Sequence, residues 1–265
     1  YHARPKTFIR GTPLNVTDVE VGPDGALYLA TGGRGTAGNI YRVSWKGNRY
    51  AESDLGEGID RVVKQPQINS SWARQRVAQI RQQLGDRWDA EITQAALSTE
   101  RDPAERVQAL RIMRWMGPNP DLKMLLALTQ DQDSSVRRQA VYELGLLEEA
   151  EAAQRLTELL NDQDPLVRRH ACEAMVRMGH LPTFDRIKHM LVAKDRSEAW
   201  VARRMLERMP KNGWIEQVLT TDDHPLFLRA STAVLIADPD PETAKAILNR
   251  TMVLMDGFIN DQNFI

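Results

Sequence analysis

The chain has 265 residues, of which 42% are apolar, and this is enough to form a packed core and to exclude a wholly disordered chain. Its 35 basic and 36 acidic residues nearly balance, so no strong net field attracts nucleic acid or a membrane surface. No apolar stretch reaches the roughly 18–20 residues that a membrane-spanning helix needs. The single cysteine, Cys172, excludes an internal disulfide framework and any CxxC motif.

Glycine is unevenly distributed along the chain. Ten of the sixteen glycines lie within residues 1–58, and only six lie in the remainder. This asymmetry indicates two kinds of structure, a turn-rich one at the N-terminal end and a different one behind it. The sequence begins at Tyr1 without a signal-like segment, so we expect it to be an excised piece of a longer protein.

Residues 1–50 are predicted to contain a three-stranded antiparallel β-meander. Asp24-Gly25 lies between two runs of β-forming residues and is typical of a hairpin turn, because Asp and Gly tolerate positive φ. The loop 32–38 is rich in glycine but lacks GxxxxGK[ST] and is followed by a strand, which argues against a nucleotide-binding loop. No cofactor-binding residue is assigned, and Arg34 in this loop is kept as a candidate contact on a ligand-bearing face.

Residues 71–255 are predicted to form a helical repeat with a period of 31 residues. Several sets of residues keep this step: Asp102, Asp133, Asp164 and Asp195; Arg106, Arg137 and Arg168; Ala109, Ala140, Ala171 and Ala202; Met113, Leu144, Met175 and Leu206; Met116, Leu147, Met178 and Met209; and Leu125, Leu156, Ile187 and Val218. Within one unit, the apolar positions recur at i, i+4 and i+7, which is one face of an α-helix. The sequence therefore predicts a mainly α fold, an α-solenoid of about six helix pairs, with residues 51–70 as a linker and 256–265 as a tail.

The recurring aspartates and arginines are interpreted as a structural ladder. Asp102-Pro103 and Asp164-Pro165 place an N-cap acceptor before a proline at the first helical position. The arginine four residues later is expected to reach that carboxylate or one in the adjacent repeat. The fourth unit departs from this pattern, because Ala199 replaces the arginine.

Candidate catalytic and metal-binding arrangements are absent from the sequence. None of the five histidines has a metal-ligand spacing, and no nucleophile motif such as GxSxG is present. Cys172 is interpreted as a buried structural thiol, and an exposed Trp200 is kept as a mark of a binding patch. The pairs Arg137-Arg138, Arg168-Arg169 and Arg203-Arg204 raise nucleic-acid binding as an alternative, but the intervening acids favour protein partners.

The spacing D-x-x-V-R-x-x-A-x-x-x-L resembles the short type of HEAT repeat, with Asp133, Val136, Arg137, Ala140 and Leu144 matching it. The segment 13–47, followed by these repeats, is similar to a group of large sorbosone-dehydrogenase-like proteins of planctomycetes. That resemblance implies that residues 13–47 correspond to the final blade of a β-propeller and residues 71–255 to a helical region that precedes a c-type cytochrome.

What the resemblance implies is an extracytoplasmic, periplasmic oxidoreductase whose propeller holds pyrroloquinoline quinone and whose cytochrome holds haem c. This chain would then be a non-catalytic spacer without a cofactor of its own, and its partners would be the propeller and cytochrome domains of the same protein. The sequence has neither the other blades nor a CxxCH motif. The alternatives are a stand-alone HEAT-repeat module that binds a separate protein and carries a β-cap, and a nucleic-acid-binding HEAT-like protein. Whether the intact protein is an enzyme is left open.

Overall fold

The computed structural model describes residues 4–12, 14–33, 35–47 and 54–255. The candidate residue Arg34 and the predicted tail 256–265 lie outside the described residues. The chain divides into two compact units, Tyr1–Ala95 and Ala96–Ile265.

The first unit begins with the predicted antiparallel meander, which the structure confirms. Its strands are β1 (Val16–Val21), β2 (Leu27–Gly33) and β3 (Thr36–Val43), in the order β1-β2-β3. Asp24 and Gly25 form the first turn, where Asp24 accepts a hydrogen bond from the Ala26 N–H and Gly25 has a φ of 73°. The positive φ explains why glycine follows aspartate at this position.

Three helices complete the first unit: α1 (Gly58–Val63), α2 (Ser71–Leu84) and α3 (Trp88–Leu97), the last ending two residues beyond the unit boundary. Helix α1 lies in the segment 51–70 that the sequence predicted to be a linker. The segment is helical there because its Val62 and Val63 are buried, at 0% and 3% exposure. Gly56 and Gly58, with φ of 68° and 52°, lie just before and at the first residue of this helix.

The second unit consists of helix pairs, each a first helix and a second helix joined by a short turn. The first helices are α4 (Pro103–Met116), α6 (Ser134–Leu144), α8 (Pro165–Met178), α10 (Arg196–Leu206) and α12 (His224–Ala237). The second helices are α5 (Leu122–Leu128), α7 (Ala150–Leu159), α9 (Phe184–Leu191), α11 (Ile215–Thr220) and α13 (Pro241–Met255). With α2 and α3, the described residues contain the six predicted pairs.

The repeated apolar positions form the core of the second unit. Successive first helices pack on one another, α4 on α6, α6 on α8 and α8 on α10. The alanine of each is fully buried, at Ala109, Ala140, Ala171 and Ala202. A side chain of this size lets neighbouring helix backbones approach closely, while the Met and Leu residues four positions later fill the space between units. The mainly α, HEAT-like solenoid predicted from the 31-residue period is therefore confirmed.

No helix among the described residues is long and apolar enough to cross a membrane.

Candidate functional site

Each recurring aspartate lies at the N-terminus of a first helix and accepts a hydrogen bond from a backbone N–H. The N–H groups are those of Ala104, Ser135, Leu166 and Ser197, and they lie 2.7–2.9 Å from the carboxylate oxygens of Asp102, Asp133, Asp164 and Asp195. This contact satisfies one of the N–H groups that a helix start leaves without an intrahelical acceptor. The aspartates are thus engaged with their own helices.

The recurring arginines form ion pairs with other carboxylates. Arg106 contacts Asp131 at 2.5 Å, and Arg137 binds Asp162 through two nitrogens at 2.9 and 2.8 Å. In both pairs the side chains are at most 10% exposed. Each pair joins one repeat to the loop that begins the next first helix, and we call the set of these contacts the inter-repeat ladder.

The third contact of the ladder uses a different acid. Arg168 binds Glu198, with nitrogen–oxygen distances of 2.6 and 2.7 Å. Asp131 and Asp162 are separated by 31 residues, but the next position in that series is Ala193. Glu198 in turn stands where the two preceding units have Val136 and Val167, so the carboxylate has moved to another position while the arginine keeps a partner.

A carboxylate in the adjacent repeat was one of the two expected acceptors, but Asp131, Asp162 and Glu198 were not named from the sequence. Asp131 and Asp162 do keep the 31-residue period, two positions before the N-cap aspartates, so the sequence contained a periodic indication of these two acceptors. Glu198 gives no periodic signal, because it stands where the preceding units have valine; it is 2% exposed and bound by Arg168 of the previous repeat.

The ladder also bears on the three pairs of adjacent arginines that raised nucleic-acid binding as an alternative, here called the basic stripe. Arg137 and Arg168 point into the ladder and are not available to bind phosphates. Arg169 pairs with Glu173 at 2.8 Å, and Arg203 and Arg204 both lie against Glu207. Only Arg138, among the six arginines of the stripe, has no carboxylate partner within the described residues. The nucleic-acid alternative therefore loses most of the cations on which it depended.

A different cluster of cations lies on the exposed side of the first helices. It consists of Arg111 and Arg114 of α4, Arg177 of α8, and the aromatic residues Trp115 and Tyr142, which are 42% and 41% exposed. Arg177 lies over the Tyr142 ring, 4.8 Å from its centre, and donates to the Gly145 carbonyl at 3.1 Å. We call this surface the arginine–aromatic face.

The centre of the arginine–aromatic face is a buried carboxylate. Glu143 is 3% exposed and accepts a hydrogen bond of 2.9 Å from Gln139, whose own oxygen accepts from Arg111 at 3.2 Å. Burial raises the pKa of Glu143, against the opposing influence of the Gln139 hydrogen bond and of the positive charges of the three nearby arginines. Three arginines thus lie near one carboxylate, and among these four groups positive charge exceeds negative charge.

The remaining candidate groups are structural or isolated. Cys172 is fully buried, with its sulfur 3.8 Å from that of Met190, and burial raises the pKa of its thiol strongly. The pKa of His170 is lowered by burial, and its Nδ1 lies 2.8 Å from the Leu166 carbonyl. Trp200 is 52% exposed. No group of three or more His, Cys, Asp or Glu residues in the described part of the chain could hold a metal ion.

The fold and the ladder define a class of protein, the helical-repeat proteins, in which stacked units carry their binding groups on a shared surface. Comparison with known families makes this more specific. The family of HEAT repeats matches residues 90–174 and 122–207, which together span less than half of the chain. None of the curated proteins compared with the chain matches it.

Solved structures with a similar arrangement include engineered proteins determined by the Northeast Structural Genomics Consortium. One is 16% identical, with a TM-score of 0.40, and covers 70% of this chain and 100% of its own. A second is also 16% identical, with a TM-score of 0.38, and covers 75% and 96%. A third is 19% identical, with a TM-score of 0.38, and covers 73% and 61%.

Proposed function

We propose that the helical repeats act as a non-catalytic scaffold that binds a protein partner through the arginine–aromatic face. The observation that carries this proposal is the exposure of Trp115 and Tyr142 among three arginines that surround a single carboxylate. Aromatic residues and arginine are enriched at protein–protein interfaces, where they supply much of the binding energy. The HEAT-repeat match supports the same role, since such arrays present extended surfaces to partners.

The charge of the face supports an acidic partner. An acidic segment with apolar side chains would neutralise the arginines and cover the two aromatic rings. Electrostatic complementarity of this kind mainly accelerates association and weakens as salt screens the charges. The partner is thus expected to be an acidic peptide segment, bound more tightly at low ionic strength.

A labelled peptide of alternating glutamate and leucine tests this proposal, with a lysine–leucine peptide and a single-stranded oligonucleotide as comparisons. Arg114→Gln and Trp115→Ala should each weaken binding of the acidic peptide by at least about fivefold, as expected for interface residues that contribute 1 kcal/mol or more. Arg186→Gln on α9 is the matched control, because it removes an exposed arginine from another surface. Equal binding by all variants, or preference for the oligonucleotide, would contradict the proposal.

We further propose that this scaffold is the spacer of a quinoprotein-type sugar or alcohol dehydrogenase, located outside the cytoplasm and joined to a c-type cytochrome. The exposure of apolar side chains on both faces of the meander supports it. Ile40 on one face is 78% exposed and Val19 on the other is 50% exposed. A propeller blade packs between neighbouring blades and buries both faces, so exposed apolar side chains on both faces are expected of a blade separated from its neighbours. The intact protein would then carry pyrroloquinoline quinone and haem c in other domains.

The coding sequence on either side of this segment tests the spacer proposal. Further blades with Asp-Gly turns should precede the segment, and a CxxCH motif should follow it. The purified full-length protein should show the absorption band of reduced haem and quinone-dependent reduction of a dye with a sugar. If the flanking sequences encode neither feature, the stand-alone binding module is the better description.

A further inference from the structure

A cleft in the first unit has the features of a small-molecule site. Its volume is about 830 Å³, and it lies between the β1–β2 turn, the segment that leads into α1, and helix α2. Small-molecule sites in proteins have volumes of roughly 300–1,000 Å³, so the cleft is large enough for a ligand of metabolite size. Trp72 fixes its wall, because the indole nitrogen donates to the Val21 carbonyl at 3.0 Å and ties α2 to the hairpin.

Two arginines face this cleft. Arg76 lies over the Trp72 ring, 5.6 Å from its centre, and Arg61 of α1 lines the same cleft. Neither has a carboxylate partner within the described residues. Stacking on an indole holds a guanidinium plane in one orientation, so the Arg76 side chain loses little further freedom when it binds an anion. The two guanidinium groups also line a smaller adjoining cavity of about 460 Å³.

Two acidic residues line the cleft, and one of them, Asp24, is paired with an arginine. Asp24 is bound by Arg42 at 2.7 Å and by the Tyr28 hydroxyl at 3.1 Å. Asp54 accepts a hydrogen bond from the Gly56 N–H at 2.9 Å and contributes one negative charge. Arg61 and Arg76 therefore share the cleft with one carboxylate, Asp54, that has no cationic partner among the described residues, and Glu57 lines the adjoining cavity beside the same two arginines.

Apolar and strained groups complete the lining. Pro23, Leu55 and Pro66 offer apolar surface beside the guanidinium groups. Gln67 at the rim has a φ of 54°, a backbone conformation that non-glycine residues rarely adopt and that occurs preferentially at ligand sites. Two cations beside apolar surface suit an anion that has an organic part better than they suit a simple inorganic ion.

We propose that this cleft binds a small organic anion, a carboxylate or phosphate ester, through the forked guanidinium groups of Arg61 and Arg76. Bidentate contacts between a guanidinium and an oxyanion are short, charge-assisted and geometrically specific. This site is separate from the arginine–aromatic face and does not depend on the function proposed for that face.

Calorimetric titration of the whole chain with citrate and with pyrophosphate at low ionic strength tests the proposal and separates the two ligand chemistries. Binding of either probe at millimolar or lower concentration is expected, and the tighter one identifies the chemistry. Arg61→Gln and Arg76→Gln should each weaken it by about tenfold, the loss expected for one charge-assisted hydrogen bond. Arg74→Gln, on the exposed side of the same helix, is the matched control and should bind like the parent chain.

Arg76→Lys separates recognition from simple charge attraction, since it keeps the positive charge and loses the planar fork. We expect this variant to bind more weakly than the parent and more tightly than Arg76→Gln. Absence of binding by both probes, or equal binding by the Arg61, Arg74 and Arg76 variants, would overturn the proposal. Circular dichroism of each variant establishes that the helices are intact.

Discussion

Replacement of Arg137 by methionine tests whether the inter-repeat ladder stabilises the solenoid. Arg137 makes two contacts with Asp162 and donates to the Asp131 and Gln132 carbonyls at 2.9 and 3.0 Å. The side chains of Arg137 and Asp162 are only 6% and 9% exposed, so methionine would leave a buried carboxylate without its cation. We expect a loss of about 3–5 kcal/mol in the free energy of unfolding, the range for breaking one side of a buried ion pair.

The double variant Arg137→Met/Asp162→Asn isolates the charge contribution. Asparagine keeps an oxygen that can accept from the Asp164 N–H, a bond that the Asp162 carboxylate makes at 2.8 Å, and it removes the unpaired charge. The double variant should therefore recover most of the loss and remain within about 1–2 kcal/mol of the parent, since neutral replacements of buried ion pairs cost little. Arg138→Met, at the adjacent half-buried position, is the control and should change stability by no more than about 0.5 kcal/mol.

Urea unfolding followed by circular dichroism measures these differences, provided that the slope with denaturant stays the same among variants, because repeat arrays can lose cooperativity. The reasoning is refuted if Arg137→Met costs less than about 1 kcal/mol, or if the double variant is no more stable than the single one.

Three further predictions concern single titratable groups. A hydrogen bond from Ser135 lowers the pKa of Asp133. The stability that the ionised Asp133 cap contributes is therefore present above about pH 4 and lost on further acidification. Asp133→Asn should keep the cap and reduce the fall in urea midpoint at acid pH. Burial raises the pKa of Glu143, so ionisation costs stability as pH rises above its ordinary value of 4.5; Glu143→Gln should reduce the loss of stability between pH 4 and pH 7. The buried thiol of Cys172 should not react with Ellman's reagent until urea unfolds the chain, and prompt reaction in the native state would contradict its burial.

The fold was predicted well from the sequence. Apolar positions spaced as on one helix face indicate the helices, and their recurrence every 31 residues indicates that successive helix pairs stack. The small residue of each first helix and the apolar residues four positions later are buried as their positions imply. The partners of the arginines were harder to predict. Arg137 reaches Asp162, 25 residues along the chain, and this pairing depends on how one repeat is placed against the next. Asp131 and Asp162 keep the repeat period, but the period alone does not indicate which carboxylate each arginine reaches.

The arginine–aromatic face and the cleft of the first unit were not predicted for a similar reason. Trp115 and Tyr142 do not share a position in the repeat, and only the packing of α4 and α6 presents both on one surface. The cleft brings Val21 of the meander to Trp72, 51 residues later, through a hydrogen bond that leaves no pattern in the sequence. The pairs of adjacent arginines, by contrast, overstated the basic surface, because Arg137 and Arg168 turn into the ladder and the third pair is bound by Glu207.

Ala199 removes the ladder contact between α10 and α12, and this affects which helices unfold first. The ladder ends at Arg168 and Glu198, because Ala199 takes the place of the ladder arginine in α10. The contacts that do bridge this junction include Lys211 with Asp238, whose side chains are 53% and 30% exposed, and such pairs contribute little in water. The last helix pair should therefore unfold locally while α4 to α8 stay folded. Its amide hydrogens should then exchange faster than those of α4 to α8.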